Sequence, residues 1–387
     1  MDTTPLKELA EKFGTPLLVM DLEVVKENYM TLKKNIKNVE IYYAVKANSH
    51  ENILKLLRDL GSNFDVASRG EIDKLLSLGV SPDRMSFGNT IKKLEDIEYA
   101  YKKGVRMFAV DAEMELEKIA KVAKGSKIYV RLSTNGMEED ADWPLTRKFG
   151  TSVEHCIKLV KYAKDLGLEP IGVSFHVGSQ NYNPENWRIA IKQTAEIFNA
   201  AKAMGIKLNM VNTGGGVPVR YIKEIPKVEE IAKVINESVE QYLGKDVRVI
   251  AEPGRSMVGN AGIMITKVIL RSTKFNENWV YVDAGVFHGL TETIQNIKYR
   301  ISVEGKDNES KDKFNLAGPT CDSMDVMYYN IELPKSITMN DLVYFFAAGA
   351  YTLEYGTTFN GIPSPKCVFA DGVVKKVDNL IEIKVKN

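Results

Sequence analysis

Ile41-Tyr42-Tyr43-Ala44-Val45-Lys46-Ala47-Asn48 is a run of β-branched and aromatic residues, and it reads as a short buried strand ending on a single lysine. Burying a lysine as a cation is costly, because desolvation favours the neutral amine. A neutral amine is a nucleophile toward carbonyls, the property that Schiff-base lysines use. The plainer alternative is a strand-end lysine whose head snorkels to water. What surrounds the stretch chooses between the two.

On its N-terminal side, residues 6–13 read as a short helix, 15–21 as a strand and 22–36 as a helix. On its C-terminal side, strand-like and helix-like runs alternate. The strand candidates are 41–46, 63–67, 84–88, 106–110, 127–132, 171–176, 208–212 and 247–251. Between them, apolar residues fall at helical spacing over 51–60, 71–78, 94–102, 113–122, 153–166, 184–204 and 228–242. Such alternation implies parallel βα units. Eight units match a closed (β/α)₈ TIM-type barrel of roughly 250 residues. An open doubly wound sheet would carry its glycine-rich phosphate loop after the first strand. That place is held by Lys46-Ala47-Asn48, and the glycine run comes only after the seventh strand.

Beyond about residue 260 the pattern changes to strands with few helical runs: 263–271, 279–283, 341–347, 366–370, 373–376 and 380–385. The fold class expected is therefore α/β, a barrel over 22–260 followed by an all-β C-terminal domain. That second domain is 261–387, joined by 1–21. The polar stretch 301–314 reads as a surface excursion.

Composition narrows the function. A chain of 387 residues is long for one core, so two domains are expected. Lys+Arg of 52 against Asp+Glu of 51 gives no electrostatic case for nucleic acid or an anionic membrane. No apolar run is long enough to span a bilayer, and the N-terminus shows no signal peptide. Cys156, Cys321 and Cys367 are odd in number and widely spaced, which argues against a disulfide framework or a zinc site and fits a reducing cytoplasm.

In a barrel of this kind the chemistry sits at the C-terminal ends of the strands. Here those ends carry Lys46 with Asn48, Asp65 with Ser68, Asn89, Asp111, Arg131 with Ser133, and His176 with Ser179. The last two end in Thr213-Gly214-Gly215-Gly216 and Glu252-Pro253-Gly254-Arg255. So many polar groups on one rim define a site. The glycines let backbone N–H groups approach an anion, and Arg255 adds a bidentate guanidinium. Loops after the last two strands are the recurrent phosphate site of this fold. A lysine and a phosphate cradle without a P-loop point to a phosphorylated carbonyl cofactor, and pyridoxal phosphate fits. Glu252 is the candidate partner for its ring nitrogen, and His176 offers a face to stack on. A lone histidine is otherwise a satisfied core residue.

Tyr43-Ala44-Val45-Lys46-Ala47-Asn48, His176-Val177-Gly178-Ser179, Gly214-Gly215-Gly216, Glu252-Pro253-Gly254-Arg255, Cys321-Asp322-Ser323-Met324-Asp325 and Gly349-Ala350-Tyr351 together resemble the pyridoxal-phosphate decarboxylases of the alanine-racemase-like fold, with the ornithine/lysine decarboxylases nearest. The resemblance runs from about residue 12 to the end. It implies that Lys46 holds the cofactor as a Schiff base, with Asp65 and Arg131 lining the site near it. His176 would stack on the ring, and Glu252 would pair with its nitrogen. Ser179, Gly214, Gly215, Gly216, Gly254, Arg255 and Tyr351 would hold the phosphate. Cys321 and Asp322 would reach the active site of the other subunit of a homodimer, Cys321 as proton donor and Asp322 as partner of the substrate's distal amine. A buried distal ammonium needs a carboxylate. The plainer reading makes Cys321 a small hydrophobe and Asp322 a turn residue.

Two departures bear on substrate. Diaminopimelate decarboxylases, similar through the same barrel motifs, show Cys-Glu-Ser where this chain has Cys-Asp-Ser. Eukaryotic-type ornithine decarboxylases carry a further aspartate in the region that here reads His288-Gly289-Leu290-Thr291-Glu292-Thr293, so Glu292 is the candidate substitute. The expectation is decarboxylation of L-ornithine and/or L-lysine to putrescine or cadaverine, in polyamine biosynthesis, with no metal. The alternatives are a diaminopimelate or arginine decarboxylase, a racemase on the same fold, and a non-catalytic regulator of the antizyme-inhibitor kind.

Overall fold

In a computed structural model of the protein, which describes residues 2–134, 136–145, 147–295 and 297–378, eight parallel strands close into a barrel. They are Val39–Ala44, Asn63–Val66, Met85–Phe87, Met107–Val110, Lys127–Arg131, Glu169–Ser174, Met210–Asn212 and Arg248–Ala251. Closure is made where the last strand pairs with the first, Val249 beside Val39 and Ala251 beside Ile41. Tyr42, Met107, Ala109, Tyr129, Ile171, Met210 and Ile250 fill the interior with bulky side chains from successive strands, so it is a packed core and not a pore. Helices cover the outside. Glu51–Asp59 and Arg69–Ser77 are capped by His50 and Ser68, whose side chains accept from backbone N–H groups of the first turn.

The chain separates into two compact units, one of residues 29–218 with 225–256 and one of 1–28, 219–224 and 257–387. The first contains the barrel. The second is built on an eight-stranded sheet. Its long strand Gly262–Lys274 pairs with Leu17–Met20, Leu342–Phe346 and Glu277–Val282, so the strand near the N-terminus does join this sheet. Leu17, Val19, Ile263, Ile265, Tyr344 and Phe346 are buried in one cluster with Leu6 and Val374.

Three sequence readings need correction. The stretch 373–376 is not a strand: Val373–Val377 is a short helix, with Val374 and Val377 buried and Lys375 and Lys376 outside. Two buried apolar residues three apart lie on one helical face, and a four-residue run is too short to show that period. Residues 301–314 are a surface excursion only in their middle, where 304–309 form a largely exposed turn. Ile301–Val303 and Lys311–Ala317 are strands on either side of a turn, and the second pairs with both Glu277–Val282 and Val326–Pro334. Its polar N-terminal half, Lys311 to Lys313, is exposed, so hydropathy masked it. Lys46 does not end a strand. The strand stops at Ala44, and Lys46 is the exposed middle residue of a 3₁₀ turn, Val45–Ala47. The strand read over 380–385 lies outside the described residues.

Candidate active site

The C-terminal mouth of the barrel gathers the charged residues of the strand ends. Lys46 stands one step beyond the first strand, where Ala44 N–H donates to the Pro253 carbonyl at 3.1 Å and ties the first strand's end to the loop after the last. Asp65 follows in register beside Ala44. Its carboxyl is raised well above the usual carboxylate range, first by burial and then by the charge of Glu252, against the pull of Lys46. Its Oδ1 is buried and has no hydrogen-bond partner among the described residues. Gly88, after the third strand, makes room for it: a Cβ there would lie 2.0 Å from that oxygen. A buried acceptor left open is costly unless something else satisfies it.

Glu252 is also raised, chiefly by burial, and is held down in part by hydrogen bonds from Asn212 and Tyr129 and by the charges of Arg131 and Lys46. Asn212 takes part twice. Its amide N donates to Glu252 Oε1, and its Oδ1 accepts from Gly214 N at 3.0 Å. It thereby couples the carboxylate to the glycine loop. Burial pushes the Arg131 guanidinium down, and Glu252, Asp111 and Asp65 resist that shift. His176 is held well below its usual range by burial and by the nearby charges of Arg131 and Lys46. Gly178 N–H donates to its Nδ1 at 3.1 Å, which assigns the proton of the neutral ring to Nε2.

The glycine loop passes close to its neighbours. Gly214 and Gly216 have φ of +65° and +102°, and a Cβ on Gly214 would lie 2.2 Å from the Phe175 carbonyl. A Cβ on Gly215 would meet His176 Nε2 at 3.0 Å. Only glycine fits all three positions. Arg255, 4% exposed, donates from Nε to Ser179 Oγ at 3.2 Å, and Gly254 precedes it. Lys46, Asp65, Arg131, His176, Ser179, Gly214 to Gly216, Glu252, Gly254 and Arg255 thus all lie around one mouth. The open acceptor, the neutral ring and the narrow glycine cradle fit a flat, phosphorylated cofactor.

The remaining candidates lie in the sheet unit. Tyr351 has φ of +63° and stacks on Tyr355 with ring centroids 5.8 Å apart. Glu292 is buried in the 3₁₀ helix Thr291–Ile294. Cys321 is the exposed one of the three thiols. Asp322 Oδ1 accepts from Met324 N at 2.8 Å, a turn-capping bond. Asp325, 2% exposed, accepts from Val286 N at 2.8 Å and from Thr320 N at 2.9 Å, and so pins the Cys321 loop to the chain that leads to Glu292. Sequence reading passed over Asn212, Tyr129 and Asp325. The signal available was a polar residue at an inward barrel position for the first two, and an aspartate two residues past a turn for the third.

A closed (β/α)₈ barrel with a lysine, paired carboxylates and a glycine phosphate cradle at its mouth, accompanied by a β-sheet unit, defines the pyridoxal-phosphate enzymes of the alanine-racemase-like fold. Residues 22–259 match the family model for the pyridoxal-binding domain of pyridoxal-dependent decarboxylases, and the chain belongs to that family. It is 34% identical to a lysine/ornithine decarboxylase of Selenomonas ruminantium, over 95% of this chain and 92% of that one. Among solved structures it is similar to the lysine/ornithine decarboxylase of Vibrio vulnificus complexed with cadaverine, at a TM-score of 0.87 and 31% identity over 95% and 98% of the two chains. It is also similar to the arginine decarboxylase of Paramecium bursaria Chlorella virus, at a TM-score of 0.87 and 30% identity over 95% and 100%. Among the described residues no helix is long and apolar enough to cross a membrane, and no group of three or more His, Cys, Asp or Glu side chains could hold a metal ion.

Proposed function

We propose that the protein decarboxylates L-ornithine and/or L-lysine, releasing CO₂ and putrescine or cadaverine for polyamine biosynthesis, as a cytoplasmic homodimer with shared active sites. The observation that carries this reading is the presence, in one chain, of a lysine-bearing barrel mouth and of a Cys321-Asp322 loop whose thiol is exposed. Pyridoxal phosphate, when bound, supplies the electron sink for the pair left behind as the substrate carboxylate departs. Lys46, exposed at the mouth, holds the cofactor through its amine. Asp65 and Arg131 line the site beside it. Glu252, oriented by Asn212 and Tyr129, keeps a proton at the ring nitrogen. His176, neutral and planar, stacks on the ring. Ser179, Gly214 to Gly216, Gly254, Arg255 and Tyr351 hold the phosphate through N–H and guanidinium donors.

The barrel domain, 22–260, binds the cofactor in this reading, and the sheet domain completes a site across the dimer. Cys321 delivers a proton to the substrate's α-carbon. Asp322 pairs with the distal ammonium, with Glu292 as a second carboxylate. The Cys-Asp-Ser sequence and the likeness to lysine/ornithine decarboxylases favour a basic substrate with a distal amine. The test is CO₂ release measured separately with ornithine, lysine, arginine and diaminopimelate. Release from ornithine or lysine at the highest kcat/KM is expected. A preference for diaminopimelate or arginine would replace the substrate assignment, and no release with any of them would remove the decarboxylase reading.

A further inference from the structure

We propose that Asn360 is the positioning residue for Cys321: its side-chain oxygen holds the thiol, with its proton, in the orientation from which it acts. The inference rests on the reading of Cys321 as the proton donor. Cys321 is exposed, so packing does not fix its rotamer. Proton transfer to carbon needs a fixed donor. Asn360 Oδ1 accepts from the Cys321 backbone N–H at 3.0 Å and lies 3.3 Å from its Sγ, within thiol hydrogen-bond reach. One amide oxygen thus receives both the N–H and the S–H of the same residue.

Asn360 itself sits on a firm base. Thr357 donates to the Phe287 carbonyl from both its N–H and its Oγ1, each at 2.9 Å. The rings of Phe287 and Phe359 have centroids 4.7 Å apart. Asn360 has φ of 58° and Gly361 has φ of 73°, the paired left-handed conformation that Asn-Gly adopts readily. Backbone geometry alone would therefore account for an asparagine here. Glycine would satisfy that geometry equally well, and it would leave Cys321 without its acceptor. This difference makes the two explanations separable.

The experiment compares Asn360→Gly, Asn360→Asp and Cys321→Ala by counting the products formed per CO₂ released. When the proton misses the α-carbon, it and the electron pair left by CO₂ would go to the cofactor's carbonyl carbon, and the substrate nitrogen would stay there as the cofactor's amine. Water supplies the oxygen, and the carbon skeleton departs as an aminoaldehyde in place of the diamine. Asn360→Gly should raise the aldehyde-to-CO₂ ratio by about three- to tenfold, the scale of one lost hydrogen bond, with cofactor absorbance and melting temperature unchanged. Asn360→Asp, which keeps an acceptor oxygen and tolerates the same backbone, should stay near the parent ratio. A raised ratio in Cys321→Ala with an unchanged one in Asn360→Gly would overturn this inference alone. An unchanged ratio in Cys321→Ala would overturn the proton-donor reading, and this inference with it. If Asn360→Gly loads cofactor poorly, iodoacetamide alkylation of Cys321, followed by peptide mass mapping without substrate, decides instead. A faster rate than the parent is expected, and an unchanged rate overturns the inference.

Discussion

Asp322 has two jobs available to it, and a single substitution separates them. Its Oδ1 caps Met324 N–H, a role that an asparagine oxygen fills equally well. Its charge would pair with the substrate's distal ammonium, a role that asparagine cannot fill. Leaving a desolvated cation unpaired costs about 3–5 kcal/mol, or roughly two to four orders of magnitude in kcat/KM. Asp322→Asn should therefore lose that much with ornithine and lysine while its affinity for pyridoxal phosphate stays unchanged. Steady-state kinetics beside a cofactor titration give the answer. Unchanged specificity constants would leave Asp322 as a turn residue and move the distal-amine role to Glu292. The chain motif announced Asp322 but not the capping bond, because a loop's internal hydrogen bonds depend on where its ends are anchored.

Among the elements, the loop after the third barrel strand and the helix Glu113–Val122 are locked by a buried ion pair. Lys92, 4% exposed, lies 3.0 Å from Glu115, donates to the Asn89 and Ala109 carbonyls, and has its amine pushed down to about 8 by burial. Glu115 also meets Lys118 at 2.5 Å. Removing Glu115 strands a buried cation, whereas removing Lys92 leaves Glu115 with Lys118. Glu115→Ala should cost about 3–5 kcal/mol of stability and Lys92→Met much less, as read by denaturant melts of the cofactor-loaded protein. Equal losses would mean that the pair acts only through packing. Helices were legible because each buries one face at helical spacing, and barrel strands because burial on both faces makes them short continuous apolar runs. The strand Lys311–Ala317 was not, because half of it is exposed and its partners come from distant segments.

For the whole molecule, a shared site makes an experiment on mixed subunits possible. Lys46→Ala and Cys321→Ala protomers should each form little diamine alone. After subunit exchange, mixed dimers carry one intact site, and about a quarter of parental activity should return. No recovery after exchange, itself verified by native mass spectrometry, would argue that each site is complete within one chain. The carboxylates at the mouth also make a prediction for the cofactor-free protein. The folded-state pKa of Asp65 is raised, so the native state binds its proton more readily than the unfolded chain does. Stability is then lost as pH rises from the ordinary carboxylate range through that raised value. Asp65→Asn removes the loss and should raise the melting temperature of the cofactor-free protein at pH 8 by roughly 2–4 °C. The gain should fade as pH falls toward 4. A gain independent of pH would mean that the charge of Asp65 is not the cause.

The sequence by itself determined the barrel, the place of the sheet domain's strands on either side of it, and the set of residues at the mouth. These follow from period, order and strand-end position, which are local properties of a chain that must bury one face of each element. Tertiary structure alone decided how those residues are tuned. It set Lys46 in an exposed turn, left Asp65 Oδ1 without a hydrogen-bond partner among the described residues, and joined Glu252 to the glycine loop through Asn212. It also set Asn360 against a cysteine 39 residues away in the chain. Burial and hydrogen-bond partners are properties of space, and no spacing along the chain encodes them.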